Sequence, residues 1–209
     1  MRRALENESE TAIVIIDTFS PEIMDTPTTY CQYVAQLPPN EPNLHRDYHD
    51  KQYGFPIHTD NELFCRLILE INQAGLSWTT ILKKQEAFRS AYHNFDVKKV
   101  AAYGKKDFER LMNDAGIIRN RLKIDAAIQN AKAILALQQE YGSFREWLDA
   151  QHPMQLDDWV KLFRKTFRFT GREIVKEFLV SIGYLRGAHG EDCPVFKSIL
   201  KAKPVWMKE

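Results

Sequence analysis

Hydrophobic positions recur at helical spacing through most of the chain beyond residue 59. Leu63, Phe64, Leu67, Ile68 and Ile71 fall on one face of a segment opened by Thr59 and Glu62, which have the spacing of a capping box. This pattern predicts a helix to about Asn72. Cys65 on that helix is a core residue. Glu70 follows Leu67-Ile68-Leu69, so the helix that buries those side chains carries a carboxylate to the edge of the core, at a cost unless a partner meets it. Gly75 offers a backbone position that tolerates positive φ, and Ser77 can cap a second helix from about Trp78 to Tyr92.

Further helices follow by the same logic. Asp96 caps a short one ended by Gly104, and Asp107–Asn113 forms another, stopped at Gly116. Arg121 to Tyr141 is long, with Ile124, Ala127, Ile128, Ala131, Ile134 and Leu135 as its buried stripe. Ser143 and Glu146 repeat the capping-box spacing before a helix that stops ahead of Pro153. Two more, about Asp157–Thr166 and Arg172–Ile182, are joined by Phe167-Arg168-Phe169-Thr170-Gly171. The one strand-like run is Ile13–Ile16, and the predicted fold class is all-α. Residues 1–29 read as an acidic N-terminal arm, residues 30–195 as the helical domain, and 196–209 as a basic C-terminal tail. Residues 30–56, broken by Pro38, Pro39, Pro42 and Gly54, read as loop-rich.

Composition narrows the picture modestly. The chain has 209 residues, 44% of them hydrophobic and 27% charged, which excludes disorder and selects no function. No run is long enough to span a membrane, and Ala12–Ile16 is too short for a signal-peptide core, so a cytoplasmic protein is expected. The net charge of +1 conceals a split: residues 1–60 hold four Lys/Arg against ten Asp/Glu, and residues 161–209 hold eleven against five. A positive C-terminal region suits a phosphate backbone if its basic side chains share a face; otherwise it is solvated helix surface.

Two groups of residues carry candidate chemistry. The helix pair around Phe167–Gly171 is short enough to be a helix-hairpin-helix, with Arg164, Lys165, Arg168 and Arg172 around a Thr170-Gly171 turn whose backbone N–H groups can meet a phosphate. A generic αα-hairpin has the same pattern. Cys31 and His49 upstream, with His189 and Cys193 four residues apart downstream, supply two thiols and two imidazoles, the composition of a closed tetrahedral zinc set. The odd count of three cysteines, with no disulfide spacing, leaves reduced thiols or metal ligands.

Glu70-Ile71-Asn72-Gln73-Ala74-Gly75-Leu76-Ser77-Trp78, Ile81-Leu82-Lys83-Lys84 and Asp114-Ala115-Gly116-Ile117-Ile118-Arg119 closely resemble the 3-methyladenine DNA glycosylase I family. Tyr48-His49-Asp50 with Gly54, Phe95-Asp96 with Lys99-Val100-Ala101, and Phe169-x-Gly171 extend the likeness from about Cys31 to Cys193. The resemblance implies a two-lobed helix-hairpin-helix glycosylase fold closed by a structural zinc on Cys31, His49, His189 and Cys193. It implies that Glu70 reads the base, that Tyr48 and Trp78 line its pocket, and that Tyr33 stacks over it, with His45 at a position where the family often has tyrosine. Leu76, on the Gln73-Ala74-Gly75 loop, matches the wedge that fills the duplex when a nucleotide flips out, and Arg168, Thr170, Gly171 and Arg172 would hold the backbone. The implied activity is monofunctional hydrolytic release of N3-methylated adenine from damaged double-stranded DNA by a monomeric enzyme. A non-catalytic DNA-binding module and a protein–protein module are the alternatives. Ile71 in place of a glycine and Gln52-Tyr53 in place of Glu-Trp depart from the family near the pocket. No aspartate lies between Gly171 and Gly190, where many superfamily relatives carry the acid that activates water, and Glu70 is not given that role.

Overall fold

The computed structural model describes residues 29–39 and 41–208. The arm up to residue 28, with its strand-like run, lies outside them. Eleven α-helices are described: α1 (Tyr30–Ala35), α2 (Leu44–Lys51), α3 (Asp60–Gln73), α4 (Trp78–Ala91), α5 (Val97–Ala101), α6 (Lys105–Asn113), α7 (Arg121–Tyr141), α8 (Phe144–Gln151), α9 (Leu156–Thr166), α10 (Arg172–Ser181) and α11 (Phe196–Ala202). Among the described residues there is no strand and no helix long and apolar enough to cross a membrane.

The helix α3 is the axis of the core. Thr59 accepts from the Glu62 N–H as its cap, and every residue from Leu63 to Asn72 is buried. It packs against α4, α7, α8 and α10, so its polar residues Arg66 and Glu70 are enclosed with the apolar ones. Asp60 at its start accepts from Gln138 Nε2 at 2.7 Å, Phe144 N at 2.8 Å and Arg145 N at 3.2 Å, which ties α3 to the corner between α7 and α8. Trp159, Phe163, Phe178 and Phe144 extend the same hydrophobic cluster beneath α9 and α10.

Two regions differ from the sequence-based expectation. Residues 30–56 are not mainly loop: they hold α1, capped by Thr29 with Gln32 as a capping box, and α2, capped by Asn43. Residues 196–208 are not a free tail. They form α11 and a 3-10 turn at Val205–Met207, with Val205 in the core and the Trp206 N–H donating to the Gly183 carbonyl at 3.1 Å.

Candidate active site and metal-binding cluster

Glu70 sits in the last turn of α3 at the floor of a cavity of ≈ 230 Å³ lined by Tyr30, Tyr48, Tyr53, Glu70, Gln73, Trp78 and Glu177. The residue is 5% exposed, and among the described residues no donor lies within hydrogen-bonding distance of its carboxylate. Burial pushes its pKa up to about 8, against the opposing pull of Arg66 and with a further push from Glu177. Arg66, one turn earlier on α3, donates to the Tyr48 hydroxyl at 2.8 Å and lies 4.9 Å from that ring's centroid. Tyr48 is therefore fixed from behind, and Trp78 meets it edge-on at 5.0 Å. The Trp78 Nε1 donor is buried and has no acceptor among the described residues.

Tyr30 and Tyr53 complete the aromatic wall, their ring centroids 5.6 Å apart and nearly perpendicular. His45 and Tyr33 do not line the cavity; they form a layer behind Tyr30. The His45 ring contacts the Tyr30 hydroxyl through Nδ1 at 3.0 Å and Thr79 Oγ1 through Nε2 at 2.8 Å, and Tyr33 stacks on Tyr30 at 6.1 Å. Burial lowers the His45 pKa. Tyr30 and Glu177 escaped the sequence analysis as pocket residues, as did Arg66 behind the Tyr48 wall, and Tyr53 entered it only as a departure from the family near the pocket. The signal that could have found Tyr30 is the run of aromatic residues between positions 30 and 53.

The rim is the loop after α3. Gly75 has φ +80°, a conformation that a side chain would strain, and nothing lies within 4 Å of where its Cβ would be. Leu76 beside it is 37% exposed, and Gln73 Nε2 donates to its carbonyl at 3.4 Å. Lys123, near the start of α7, donates to the Asn72 carbonyl at 2.9 Å and the Ala74 carbonyl at 2.7 Å while its ammonium lies 5.8 Å from the Phe169 ring centroid. One side chain thus joins the loop carrying Leu76 to the turn between α9 and α10. In that turn Phe169 has φ +60°, and Asn130 holds Arg168 by its backbone through two hydrogen bonds of 2.7 and 3.1 Å. The Thr170 hydroxyl points inward to the Phe163 and Phe167 carbonyls, Gly171 caps α10, and Arg172 pairs with Asp157.

Cys31, His49, His189 and Cys193 come together although they span most of the described chain, all their ligand atoms lying within 4.8 Å of one another. Gly54 makes this possible: its backbone folds at φ +80°, its N–H donates to the Ser181 carbonyl at 2.8 Å, and a Cβ there would meet Ala188 Cβ at 2.6 Å. The nitrogen-to-sulfur separations are 3.6 Å for Cys31–His189, 3.6 Å for Cys193–His49 and 3.4 Å for Cys193–His189. A tetrahedral ion with metal–sulfur and metal–nitrogen bonds of about 2.3 and 2.0 Å requires such edges to be roughly 3.5 Å. The outer nitrogens are also engaged. His49 Nδ1 faces an Asp50 carboxylate oxygen at 2.7 Å and His189 Nε2 faces the Tyr53 carbonyl at 2.8 Å; each is a donor position, which turns the other nitrogen's lone pair toward the thiols. Burial lowers the His189 pKa, favouring the neutral imidazole a metal needs, and burial followed by the neighbouring Cys193 raises Cys31 to about 11. These four residues can hold a metal ion.

Fold and site together define a protein whose described residues are all-helical, with an aromatic, acid-floored pocket beside a four-donor Cys/His cluster. The methyladenine glycosylase family pattern matches residues 39–158. The chain is 35% identical over 186 residues to the DNA-3-methyladenine glycosylase of Haemophilus influenzae, covering 80% of this chain and 97% of that one. It is 38% identical over 172 residues to DNA-3-methyladenine glycosylase 1 of Escherichia coli, covering 73% and 89%. Among solved structures, the 3-methyladenine DNA glycosylase I of Staphylococcus aureus, described for its recognition of 3-methyladenine, superposes with a TM-score of 0.69 at 32% identity over 74% of this chain and 92% of that one. The chain belongs to the methyladenine glycosylase family.

Proposed function

We propose that this protein removes N3-methylated adenine from double-stranded DNA by hydrolysis, leaving an abasic site. The observation that carries this is Glu70: a nearly enclosed carboxylate with no donor of its own, at the floor of an aromatic pocket. Such a group is costly unless a cation arrives. A base methylated at N3 is cationic and already bound weakly to its sugar, so recognition outweighs general-acid help. Glu70 accepts hydrogen bonds from its edge, and the faces of Tyr48 and Trp78 add cation–π attraction. Normal bases are neutral and leave the acid unpaired.

Reaching the pocket requires flipping the nucleotide out of the duplex, at a cost of a few kcal/mol. Leu76, exposed on its Gln73–Gly75 loop, fills the gap in the stack. The turn between α9 and α10 acts as a helix-hairpin-helix: Thr170 and Gly171 approach a phosphate through backbone N–H groups, because the Thr170 hydroxyl is engaged inward, while Arg168 and Arg172 add charge. Tyr33 and His45 serve the base through Tyr30, which they hold in place.

Zinc is the ion we assign to Cys31, His49, His189 and Cys193, since two thiols and two imidazoles make a closed set with no position left for substrate. When bound it supplies a structural clamp and no catalysis. Those residues would staple α1 and α2 to the segment before α11, and so keep Tyr30, Tyr48 and Tyr53 over the pocket.

The test is to incubate the protein with methylated duplex DNA and identify the released base by chromatography. Wild type releases 3-methyladenine, whereas Glu70→Gln and Glu70→Ala reduce kcat/KM by about 100-fold or more, the loss of an ionic hydrogen bond and a buried charge pair. No release by wild type above background overturns the assignment.

A further inference from the structure

Two carboxylates line the cavity, and the reading of the base proposed above uses only Glu70. Glu177 projects from α10, the helix that follows the Phe167–Gly171 turn, and its side chain is 40% exposed where Glu70 is 5% exposed. Glu70 is thus the floor and Glu177 the mouth. Tyr53 reaches across from the α2–α3 connection and donates its phenol to Glu177 Oε2 at 3.3 Å. Lys176 Nζ stands 3.8 Å from Oε1 in an exposed pair. Glu177 lies five residues into the helix that begins at Arg172, the helix assigned above to the DNA backbone, and it is the more exposed of the two acids in the cavity.

We propose that Glu177 is the catalytic carboxylate of this pocket, acting at the sugar of the flipped nucleotide. The proposal rests on the base-excision assignment above. Before cleavage the positive charge lies on the methylated base, beside Glu70. As the C1′–N9 bond breaks, its electron pair leaves with the base, which becomes neutral, and the charge passes to C1′ and the ring oxygen. A carboxylate at the floor therefore loses its partner charge as the reaction proceeds. One at the mouth gains it. Only an interaction that strengthens on the way to the transition state accelerates the step, and Glu177 is placed for that. Water then forms the new C1′–O bond, and its released proton passes to the Glu177 carboxylate and on to solvent. One water is consumed for each neutral base and proton released.

The proposal is tested by single-turnover excision and duplex binding, using DNA that carries N3-methyladenine and the full chain with Glu177→Gln, Glu177→Ala or Glu70→Gln. We expect Glu177→Gln to lower the chemical rate by about 10²–10³-fold, as for loss of one preorganised charge-stabilising group, and to leave the duplex Kd within about threefold. Formate in the buffer restores part of the Glu177→Ala rate. Glu70→Gln shows the opposite split, with weakened binding of the lesion duplex. Because Glu177 is partly exposed, the Gln variant keeps the wild-type unfolding temperature within a few degrees. A Glu177→Gln rate within threefold of a working wild type overturns the proposal and leaves base excision standing. Equal losses in rate and binding, or no formate rescue, also overturn it. Absence of release by the wild type overturns the base-excision assignment itself.

Discussion

The base pocket and the Cys/His cluster share their walls, since both draw on α2 and on Tyr53, yet their polar groups are treated in opposite ways. In the cluster every imidazole has its outer nitrogen engaged, by Asp50 or by the Tyr53 carbonyl, and the four inner donors face one another at ion-sized separations. In the pocket, among the described residues, the Glu70 carboxylate lacks a donor and the Trp78 Nε1 lacks an acceptor. A site meant to stay filled can be completed around its occupant. One that must take up and release a ligand keeps part of its hydrogen-bonding capacity unspent, and the fold carries that deficit.

The largest effect is expected from emptying the cluster. Cys193→Ser, or a strong chelator on the wild type, should remove the metal and leave the two histidines, with one thiol in the variant or both in the wild type, held at close quarters without it. Structural zinc contributes its binding energy to folding, so we expect a loss of about 5 kcal/mol or more, a fall in Tm of about 10–20 °C for a chain of this size, followed by loss of base release. Metal analysis with thermal unfolding, with and without chelator, checks this. A metal-free wild type that melts at an unchanged temperature would remove the clamp and with it half of the contrast.

A smaller effect of opposite sign is expected at Glu70. Its folded pKa of about 8 stands above the model-peptide value of 4.5. Between those values the unfolded chain gives up a proton that the folded chain keeps, so this group's contribution to stability is full below pH 4.5 and is lost as the pH rises to about 8. Glu70→Gln should therefore make the protein more stable at pH 7, by on the order of 3 kcal/mol, while it abolishes discrimination for the cationic base. Denaturant unfolding across pH 5–9 measures the first half; a Gln variant no more stable than wild type at pH 7 would show that the acid is solvated in the free protein. In the wild type, kcat/KM should rise about tenfold per pH unit up to about pH 8 and then level, because the cation binds the ionised acid.

The parts of this molecule visible in its sequence are those whose logic is local. Helix α3 shows an apolar face, a cap and an interrupting acid within fourteen residues, and the loop at Gly75 announces itself by the glycine. Helices α1 and α2 do not stand out of the loop-rich stretch because six and eight residues are too few to display a period, although Thr29, Gln32 and Asn43 are cap signals. Glu177 and Arg66 were missed for a different reason. Each looks like an ordinary polar residue on an amphipathic helix, and only the packing of α3 against α10 and beneath Tyr48 brings Glu177 to the pocket and Arg66 behind its wall. His45 shows the converse: it sits in an aromatic-rich stretch, yet Tyr30 and Thr79 engage both its ring nitrogens, and Tyr30 takes the lining position.

The smallest effect is expected at Lys123, a satisfied group that frames the unsatisfied pocket. Its ammonium is drawn from solvent to two carbonyls at the end of α3, and burial lowers its pKa. Lys123→Met would keep the packing of the side-chain stem but leave the Asn72 and Ala74 carbonyls without that donor and the Phe169 ring without its cation. We expect a stability loss of about 1–2 kcal/mol. We also expect a several-fold fall in kcat/KM on duplex DNA with little change in binding of free 3-methyladenine, since the floor is untouched while the Leu76 loop and the hairpin turn come apart. Calorimetric titration with the free base beside duplex kinetics separates the two. Equal losses in both would place Lys123 in the pocket's own machinery, and the rim would cease to be a distinct, satisfied frame around it.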